Sequence, residues 1–286
     1  MNISLSKKLF FSLALAINTL LFGVEMPLPQ FCPATNKTIE IAYDFHGVIA
    51  SMNISRAAKQ AWAVLRNANN KAELAYYLVP IVYWGCQPKL ADWNIARTLG
   101  MKSWVRENSS PGEIIGALCK AYPCLNPHYD EAMAIANSHT PIQGTVTALQ
   151  CLKSAGYNIT LASNLDTESA QMMAQKHPAL FALFIDKLLP WRTTQDVYIA
   201  KPNTDYFVRL AQQRKADNPE LETIVFVDDS ESNVKAALKT NELLREMNLG
   251  VAFQVIHFKN PEQAAIDMQA ILTHLQKRTV TEETHV

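Results

Sequence analysis

Between residues 139 and 275, strand-like and helix-like segments of the sequence alternate in a regular order. Short apolar runs such as Tyr157–Ala162 and Thr223–Val227 are separated by segments whose apolar residues recur every three or four positions. Strands that alternate with helices pair as a parallel sheet covered by helices on both faces. We therefore predict an α/β fold, a Rossmann-like doubly wound parallel sheet.

The boundaries of the other elements follow from breakers and from changes of period. Proline is frequent in the first turn of a helix, so helices are expected to begin at Pro141 and just after Lys201–Pro202. The remaining predicted elements are a helix over Thr167–Lys176, a strand around Phe184–Ile185, a strand over Gly250–Phe258 and a helix over Pro261–Leu275.

An earlier apolar run, Ile39–Tyr43, leads directly into Asp44 and then into Gly47. It has no amphipathic helical pattern and is interpreted as a buried strand. Asp44 then lies at the carboxyl edge of the sheet, where open α/β sheets bind ligands. Gly47 allows the backbone to turn sharply and to approach a ligand closely.

The segment between this strand and the alternating region has a different character. Helical patterns separated by glycine, serine and proline occupy residues 51–138, including one over Glu113–Tyr122. We predict that residues 26–50 and 139–276 form the α/β core, that residues 51–138 are an inserted α-helical cap domain, and that residues 277–286 are a polar tail.

The N-terminal residues 1–25 resemble a targeting signal. Lys7 and Lys8 precede an apolar run, Leu9–Phe22, as in a secretory signal. The run is too short for a stable membrane span. We expect an exported protein, periplasmic or secreted; an amphipathic or buried N-terminal helix in a cytoplasmic protein is the alternative.

Charge and cysteine content restrict the partners and the compartment only weakly. Lysine plus arginine and aspartate plus glutamate both number 26, so the whole chain offers no argument for nucleic-acid binding. Among five cysteines, Cys119 and Cys124 are close enough in sequence to form a disulfide in an oxidising compartment. Buried free thiols are the equally acceptable alternative.

Polar residues stand at the ends of three predicted strands and at the start of one predicted helix, in a fixed order along the chain. They are Asp44, Ser163–Asn164, Lys201 and Asp228–Asp229. Their order and contexts resemble the four motifs of the haloacid dehalogenase (HAD) superfamily, over about Ile39 to Phe258. In that family the helical C1-type caps are inserted between the first and second motifs, which is the position of residues 51–138.

The resemblance implies catalytic roles. The strand-end Asp44 is implied as the nucleophile, which attacks phosphorus and forms an aspartyl-phosphate that water cleaves. Ser163 is implied to donate a hydrogen bond to a phosphoryl oxygen, and Asn164 to bind substrate or orient its neighbours. Lys201 is implied to pair with the phosphate and with Asp44, holding that carboxylate ionised.

The resemblance also implies a magnesium site. Mg²⁺ takes oxygen ligands in near-octahedral geometry, including one or two carboxylates. The implied protein ligands are Asp44, the backbone carbonyl of His46, and Asp229, with Asp228 either as a nearby ligand or as a group that supports the ligands. The expected partner is a phosphorylated substrate, a small molecule since C1-type caps enclose the site, although a phosphoprotein stays open.

His46 departs from the pattern of the family's phosphatases, which carry a second aspartate two residues after the nucleophile. An imidazole with a pKa of about 6.5 can serve as general acid and general base around neutral pH. We therefore hypothesise that His46 replaces that aspartate in a Mg²⁺-dependent phosphatase. The alternatives are a dehalogenase or phosphonate hydrolase, and a catalytically degenerate binding protein.

Overall fold

The computed structural model describes residues 29–31, 37–53, 56–57, 59–60, 62, 111–121 and 123–283. The elements below all lie within one compact unit, Phe31–Val286. The predicted export segment 1–25 and most of the predicted cap lie outside the described residues and stay predictions. Among the described helices, none combines the length and the apolar composition that a membrane crossing requires.

The described part of the chain contains a central five-stranded sheet in the order β5-β4-β1-β8-β9, with every neighbouring pair parallel. Its strands are β1 (Ile39–Tyr43), β4 (Asn158–Ala162), β5 (Asp186–Leu188), β8 (Thr223–Asp228) and β9 (Ala252–His257). Two short antiparallel pairs consist of β2 (Ala50–Met52) with β3 (His139–Pro141) and of β6 (Trp191–Arg192) with β7 (Tyr198–Ile199). The parallel sheet confirms the predicted fold class.

The described helices lie in the connections between these strands, except the last one, which follows β9. They are α1 (Pro111–Ala121), α2 (Tyr129–Ala136), α3 (Gln143–Ser154), α4 (Thr167–Lys176), α5 (Pro178–Phe181), α6 (Thr204–Asp217), α7 (Glu231–Glu246) and α8 (Pro261–Glu283). A 3₁₀ helix, Pro123–His128, joins α1 to α2.

Successive residues of the central strands point to opposite faces of the sheet and enter two separate cores. Val225 and Val227 belong to the cluster that also contains residues of α3, α4 and α8. Ile224 and Phe226 belong to the cluster with residues of α6 and α7. Burial on both faces explains why the strand sequence is continuously apolar and not alternating.

The structure corrects several predicted boundaries. Pro141 does not open a helix: it ends β3, and α3 begins at Gln143. The helix predicted just after Lys201–Pro202 is confirmed as α6, and the Asn203 side chain caps its start by accepting a hydrogen bond from the Asp205 amide at 2.9 Å. The strand expected around Phe184–Ile185 is β5, two residues later, because α5 and a turn occupy the preceding residues.

The C-terminal helix is longer than expected. The sequence suggested an end near Leu275, but α8 continues to Glu283 and includes much of the polar segment 277–286. The lysine, arginine and glutamate residues of this segment are good helix formers, and it contains no glycine or proline to end the helix.

The strands β2 and β3 pair at the two ends of the inserted segment, in the register Met52 opposite His139. Helices α1 and α2 and the 3₁₀ helix between them lie in this segment, and α1 fits the helix predicted over Glu113–Tyr122. Cys119 is buried in α1, whereas the side chain of Cys124 lies outside the described residues. The disulfide therefore stays a prediction.

Candidate active site

Asp44 follows the last residue of β1, at the carboxyl edge of the sheet. Its amide donates a hydrogen bond to the carbonyl of Val227 at 2.9 Å, which continues the pairing of β1 with β8. Because Tyr43 is level with Val227, Asp44 and Asp228 leave the sheet side by side. The Asp44 residue is only 5% exposed, so its carboxylate is held in a largely dry environment.

Lys201 joins the two strand-end carboxylates. Its Nζ lies 2.7 Å from Asp44 Oδ1 and 2.7 Å from Asp228 Oδ2. The ammonium also lies 5.4 Å from the centre of the Phe226 ring. Burial disfavours a charged lysine, but the attraction of Asp228 and Asp44 outweighs it and raises the pKa of Lys201. Lys201 is therefore a buried cation between two carboxyl groups.

The charges around Asp44 are not balanced by this one lysine. Burial raises the pKa of Asp44 to about 7; Lys201 opposes the change, whereas the carboxylates of Asp228 and Asp229 add to it. A carboxyl group with such a pKa is only partly ionised at neutral pH. Full ionisation of Asp44 therefore needs an additional positive charge.

The orientation of Asp228 is fixed by its neighbours. The Asn233 amide donates to both of its carboxylate oxygens at 3.0 Å, and the Ser230 backbone amide donates to Oδ1 at 2.8 Å. Asn233 lies in the first turn of α7, so the start of that helix holds the acidic pair at the end of β8. This carboxylate has no rotational freedom without the loss of hydrogen bonds.

Asp229 completes an acidic cluster. One ligand oxygen each from Asp44, Asp228 and Asp229 lies within 4.8 Å of the others. Gly47 approaches Asp229 so closely that a Cβ at residue 47 would lie 2.6 Å from Asp229 Oδ2, and its φ of +75° is itself unfavourable for other residues. The turn after β1 thus requires glycine for two reasons.

The donor set suits a hard divalent cation. Three carboxylates and one ammonium leave a net charge of about two negative units when all are ionised, which one divalent ion neutralises. Oxygen donors from carboxylates are the ligands that Mg²⁺ prefers. The residues present therefore fit the metal that the resemblance implies.

Ser163 and Asn164 follow β4 and lie on the same edge of the sheet. The Ser163 hydroxyl accepts a hydrogen bond from the Leu165 amide at 3.2 Å and is fully buried. The Asn164 side chain accepts from the Lys201 amide and donates to the Lys201 carbonyl, both at 2.9 Å. Asn164 thus positions the backbone of Lys201, and its predicted contact with substrate stays a prediction.

His46 is half-buried in the turn after Asp44, next to two other rings. Its ring centre is 5.6 Å from that of Phe45 and 4.6 Å from that of His139. Burial lowers the pKa of His46 well below its usual value, and the nearby His139 and Lys201 lower it further. The imidazole of His46 is therefore neutral at pH 7.

Sequence reasoning assigned no role to His139, which lies against His46. It also missed that Asn164 bonds to the backbone of Lys201. The single usable signal was the position of His139 at the return from the inserted segment, directly before the alternating region. A three-residue antiparallel pairing leaves too little periodicity for this contact to be predictable.

A family model described as haloacid dehalogenase-like hydrolase, of the class Hydrolase, matches residues 41–239 of this chain. This range includes all the residues of the acidic cluster, together with Ser163, Asn164 and Lys201. No curated protein matches the chain in sequence.

Several solved structures are similar to this chain at low sequence identity. A HAD-family enzyme from Bacteroides thetaiotaomicron is 16% identical with a TM-score of 0.43, covering 77% of this chain and 94% of its own. L-2-haloacid dehalogenase from Xanthobacter autotrophicus is 14% identical with a TM-score of 0.44, covering 79% and 80%. An archaeal β-phosphoglucomutase from Pyrococcus is 18% identical with a TM-score of 0.39, covering 79% and 90%.

Proposed function

This chain belongs to the haloacid dehalogenase-like hydrolases, and we propose that it is a Mg²⁺-dependent phosphatase that hydrolyses a phosphomonoester. The observation that carries the proposal is the acidic cluster of Asp44, Asp228 and Asp229, whose ligand oxygens lie within 4.8 Å of one another. A hydrolase that displaces halide from carbon has no dianionic substrate group to neutralise. Three converging carboxylates are better suited to phosphate chemistry, in which charge on the phosphoryl oxygens must be balanced.

The reaction needs one nucleophile and one source of positive charge from the protein. An oxygen of Asp44 attacks phosphorus, the bond from phosphorus to the ester oxygen breaks, and the leaving oxygen takes up a proton. Water then attacks the phosphorus of the aspartyl-phosphate, which releases inorganic phosphate and restores Asp44. Lys201, 2.7 Å from the Asp44 carboxylate, supplies positive charge beside the transferred group.

The carboxylates of Asp44, Asp228 and Asp229 and the backbone carbonyl of His46 would hold the magnesium ion. When bound, the ion neutralises negative charge on the phosphoryl oxygens and on the carboxylates. This requirement agrees with the pKa of Asp44, which is raised to about 7 by burial and by its acidic neighbours. Ser163 and Lys201 are proposed to bind the phosphoryl group, and Asn164 to support Lys201.

His46 is proposed as the general base that takes the proton of the attacking water. Its pKa is lowered by burial and by the nearby cationic and imidazole groups, so the ring is neutral and able to accept a proton at pH 7. His46 then returns this proton to solvent, and in the first half-reaction it relays a proton from solvent to the leaving oxygen. A single imidazole thus serves both half-reactions, as the second aspartate does in the family's phosphatases.

Release of product from a generic aryl phosphate, with and without Mg²⁺, tests the proposal. We expect Mg²⁺-stimulated release that is abolished in Asp44→Asn and retained in Asp205→Asn, a matched change at an exposed aspartate of α6. No stimulated release, or an Asp44→Asn variant as active as wild type, would refute the phosphatase. Parallel assays with haloacid and phosphonate substrates, and phosphate binding without turnover, identify the alternatives.

His46→Ala tests the base separately. Removal of a general acid–base group lowers turnover by about 10²–10⁴-fold, and we expect a loss in this range together with an altered pH profile. An unchanged rate in His46→Ala would remove the residue from the mechanism and leave Asp44 and the metal site unaffected.

The expected substrate is a small organic phosphate, and the expected location of the enzyme is outside the cytoplasm. The expectation of a small substrate follows from the predicted helical cap over residues 51–138. The expectation of export follows from the signal-like residues 1–25. Sequencing of the mature N-terminus tests export, because an exported and processed chain does not begin at Met1. Comparison of small phosphate esters with a phosphopeptide tests the substrate class.

A further inference from the structure

His139 is buried against the one residue of the site that departs from the family pattern. The centre of its ring lies 4.6 Å from the centre of the His46 ring, with the two planes at 63°. Phe45 lies edge-on to both rings, at 5.6 Å from His46 and 5.7 Å from His139. We propose that His139 is a positioning residue that holds the His46 imidazole in one orientation beside Asp44.

The support for His46 comes from a rigid part of the fold. His139 is 3% exposed and lies in β3, level with Met52 of β2. Its backbone carbonyl accepts a hydrogen bond from Lys176 Nζ at 3.3 Å, and the same ammonium donates to the carbonyl of Asn137. Because Lys176 belongs to α4, the strand that carries His139 is tied to the core and not only to β2.

The same stretch of chain is anchored a second time by a side chain. The amide of Asn137 donates to the Met133 carbonyl at 2.9 Å and to the Ser169 hydroxyl at 3.1 Å. Functional groups keep a productive geometry when the residues behind them are locked by packing and hydrogen bonds. His139 has this locked backbone, whereas His46 lies in a turn and is half-buried.

His46 and His139 contact each other through the faces and edges of their rings. The Nδ1 atom of His139 is buried and has no hydrogen-bond partner among the described residues. Edge-to-face ring pairs stabilise one another beyond their area burial. A phenylalanine at residue 139 keeps this contact and removes the unpartnered nitrogen, so it distinguishes ring contact from hydrogen bonding.

This inference rests on the proposed role of His46 and is tested first by kinetics. We expect His139→Ala to lower kcat by about 2- to 10-fold, the fold-change that corresponds to one edge-to-face pair, with little change in KM. His139→Phe should restore kcat to within about twofold, a limit set by the smallest such contribution. His274→Ala, at an exposed histidine of α8, serves as the control and should equal wild type.

A double-mutant cycle shows whether His139 acts through His46. In a His46→Ala background, His139→Ala should cause no further loss of kcat, because the group that it positions is gone. Losses that multiply in the double variant would overturn the inference. Equal thermal midpoints of His139→Phe and wild type exclude general damage to the fold.

A measurement on the His46 ring itself does not depend on turnover. In protein labelled with ¹⁵N-histidine, the His46 ring signals, assigned by their loss in His46→Ala, should be single in wild type and in His139→Phe. They should be broadened, doubled or shifted in His139→Ala. Unperturbed His46 signals in His139→Ala would overturn the positioning role, and perturbed signals in a protein without phosphatase activity would overturn only the proposed function.

Discussion

Replacement of Lys201 by methionine removes the cation that lies between two buried carboxylates. Lys201 Nζ is 2.7 Å from Asp44 Oδ1 and 2.7 Å from Asp228 Oδ2, and all three side chains are at least nine-tenths buried. The loss of one partner from a buried ion pair costs about 3–5 kcal/mol, mostly because the remaining charge is left unpaired. Methionine fills a similar volume, so a cavity contributes little.

The destabilisation caused by Lys201→Met should depend on pH. The raised pKa of Lys201 keeps its ammonium charged throughout pH 5–8, so the dependence comes from Asp44. With a pKa of about 7, Asp44 is already protonated at pH 5 in the wild type, so removal of the lysine leaves no Asp44 charge unpaired at that pH. At pH 8 Asp44 is ionised beside Lys201, and removal of the lysine leaves this carboxylate without its cation. Lys201→Met should therefore be destabilised more at pH 8 than at pH 5.

Thermal unfolding without added metal measures the destabilisation of Lys201→Met and its dependence on pH. For domains of about 150–250 residues, each kcal/mol shifts Tm by about 2–4 °C, so Tm should fall by about 6–20 °C at pH 8. Lys239→Met, at an exposed lysine of α7, is the control and should change Tm by little. A Lys201→Met protein that melts with wild type at pH 8 would refute the reasoning, since the carboxylates would then not depend on this cation.

Two further predictions concern the metal site. Gly47→Ala puts a side chain on a residue with φ of +75° and places its Cβ 2.6 Å from Asp229 Oδ2. Its Tm should therefore fall, with a backbone contribution of about 1–2 kcal/mol, and its stabilisation by Mg²⁺ should be lost. Gly116→Ala, with no atom within 4 Å of the new Cβ, is the control and should show neither change. Because the pKa of Asp44 is raised to about 7, the folded metal-free protein binds this proton more tightly than the unfolded chain, and stability falls as pH rises from about 4 to about 7. Mg²⁺ competes with that proton, so thermal scans should show a larger rise in Tm on adding Mg²⁺ at pH 8 than at pH 5.5.

The sequence predicted the edge of the sheet better than the contacts behind it. Parallel strands end at a common edge, so Asp44 after β1 and Asp228 after β8 were expected to meet, and the register of Tyr43 with Val227 places them side by side. The sharp turn at Gly47 was also expected. The resemblance implied that Asp229 shares a metal ion with this turn, but the close approach of its carboxylate to Gly47 was not predicted, because the approach of two loops depends on their conformations and not on residue type.

His139 shows where prediction from the sequence stops. The region around it was interpreted as the approach to a helix at Pro141, yet residues 139–141 form a strand whose partner, Ala50–Met52, lies almost 90 positions earlier in the chain. Three residues contain too little periodicity to reveal a strand. The contact of His139 with His46 depends on this pairing, so it was visible only in the structure.

His46 changes the charge of the site as well as its acid–base group. The lowered pKa of His46 makes it neutral at pH 7, whereas an aspartate at this position adds a negative charge beside the acidic cluster. Unit charges about 10 Å apart still interact by about 1.7 kcal/mol at an effective dielectric constant of about 20, which is more than about tenfold in affinity. We therefore expect His46→Asp to bind inorganic phosphate more weakly than wild type, with an inhibition constant at least about tenfold higher, and His46→Asn, which adds no charge, to resemble wild type. Equal inhibition constants in His46→Asp and wild type would show that residue 46 does not face the bound phosphate, and its role in proton transfer would fall with that result.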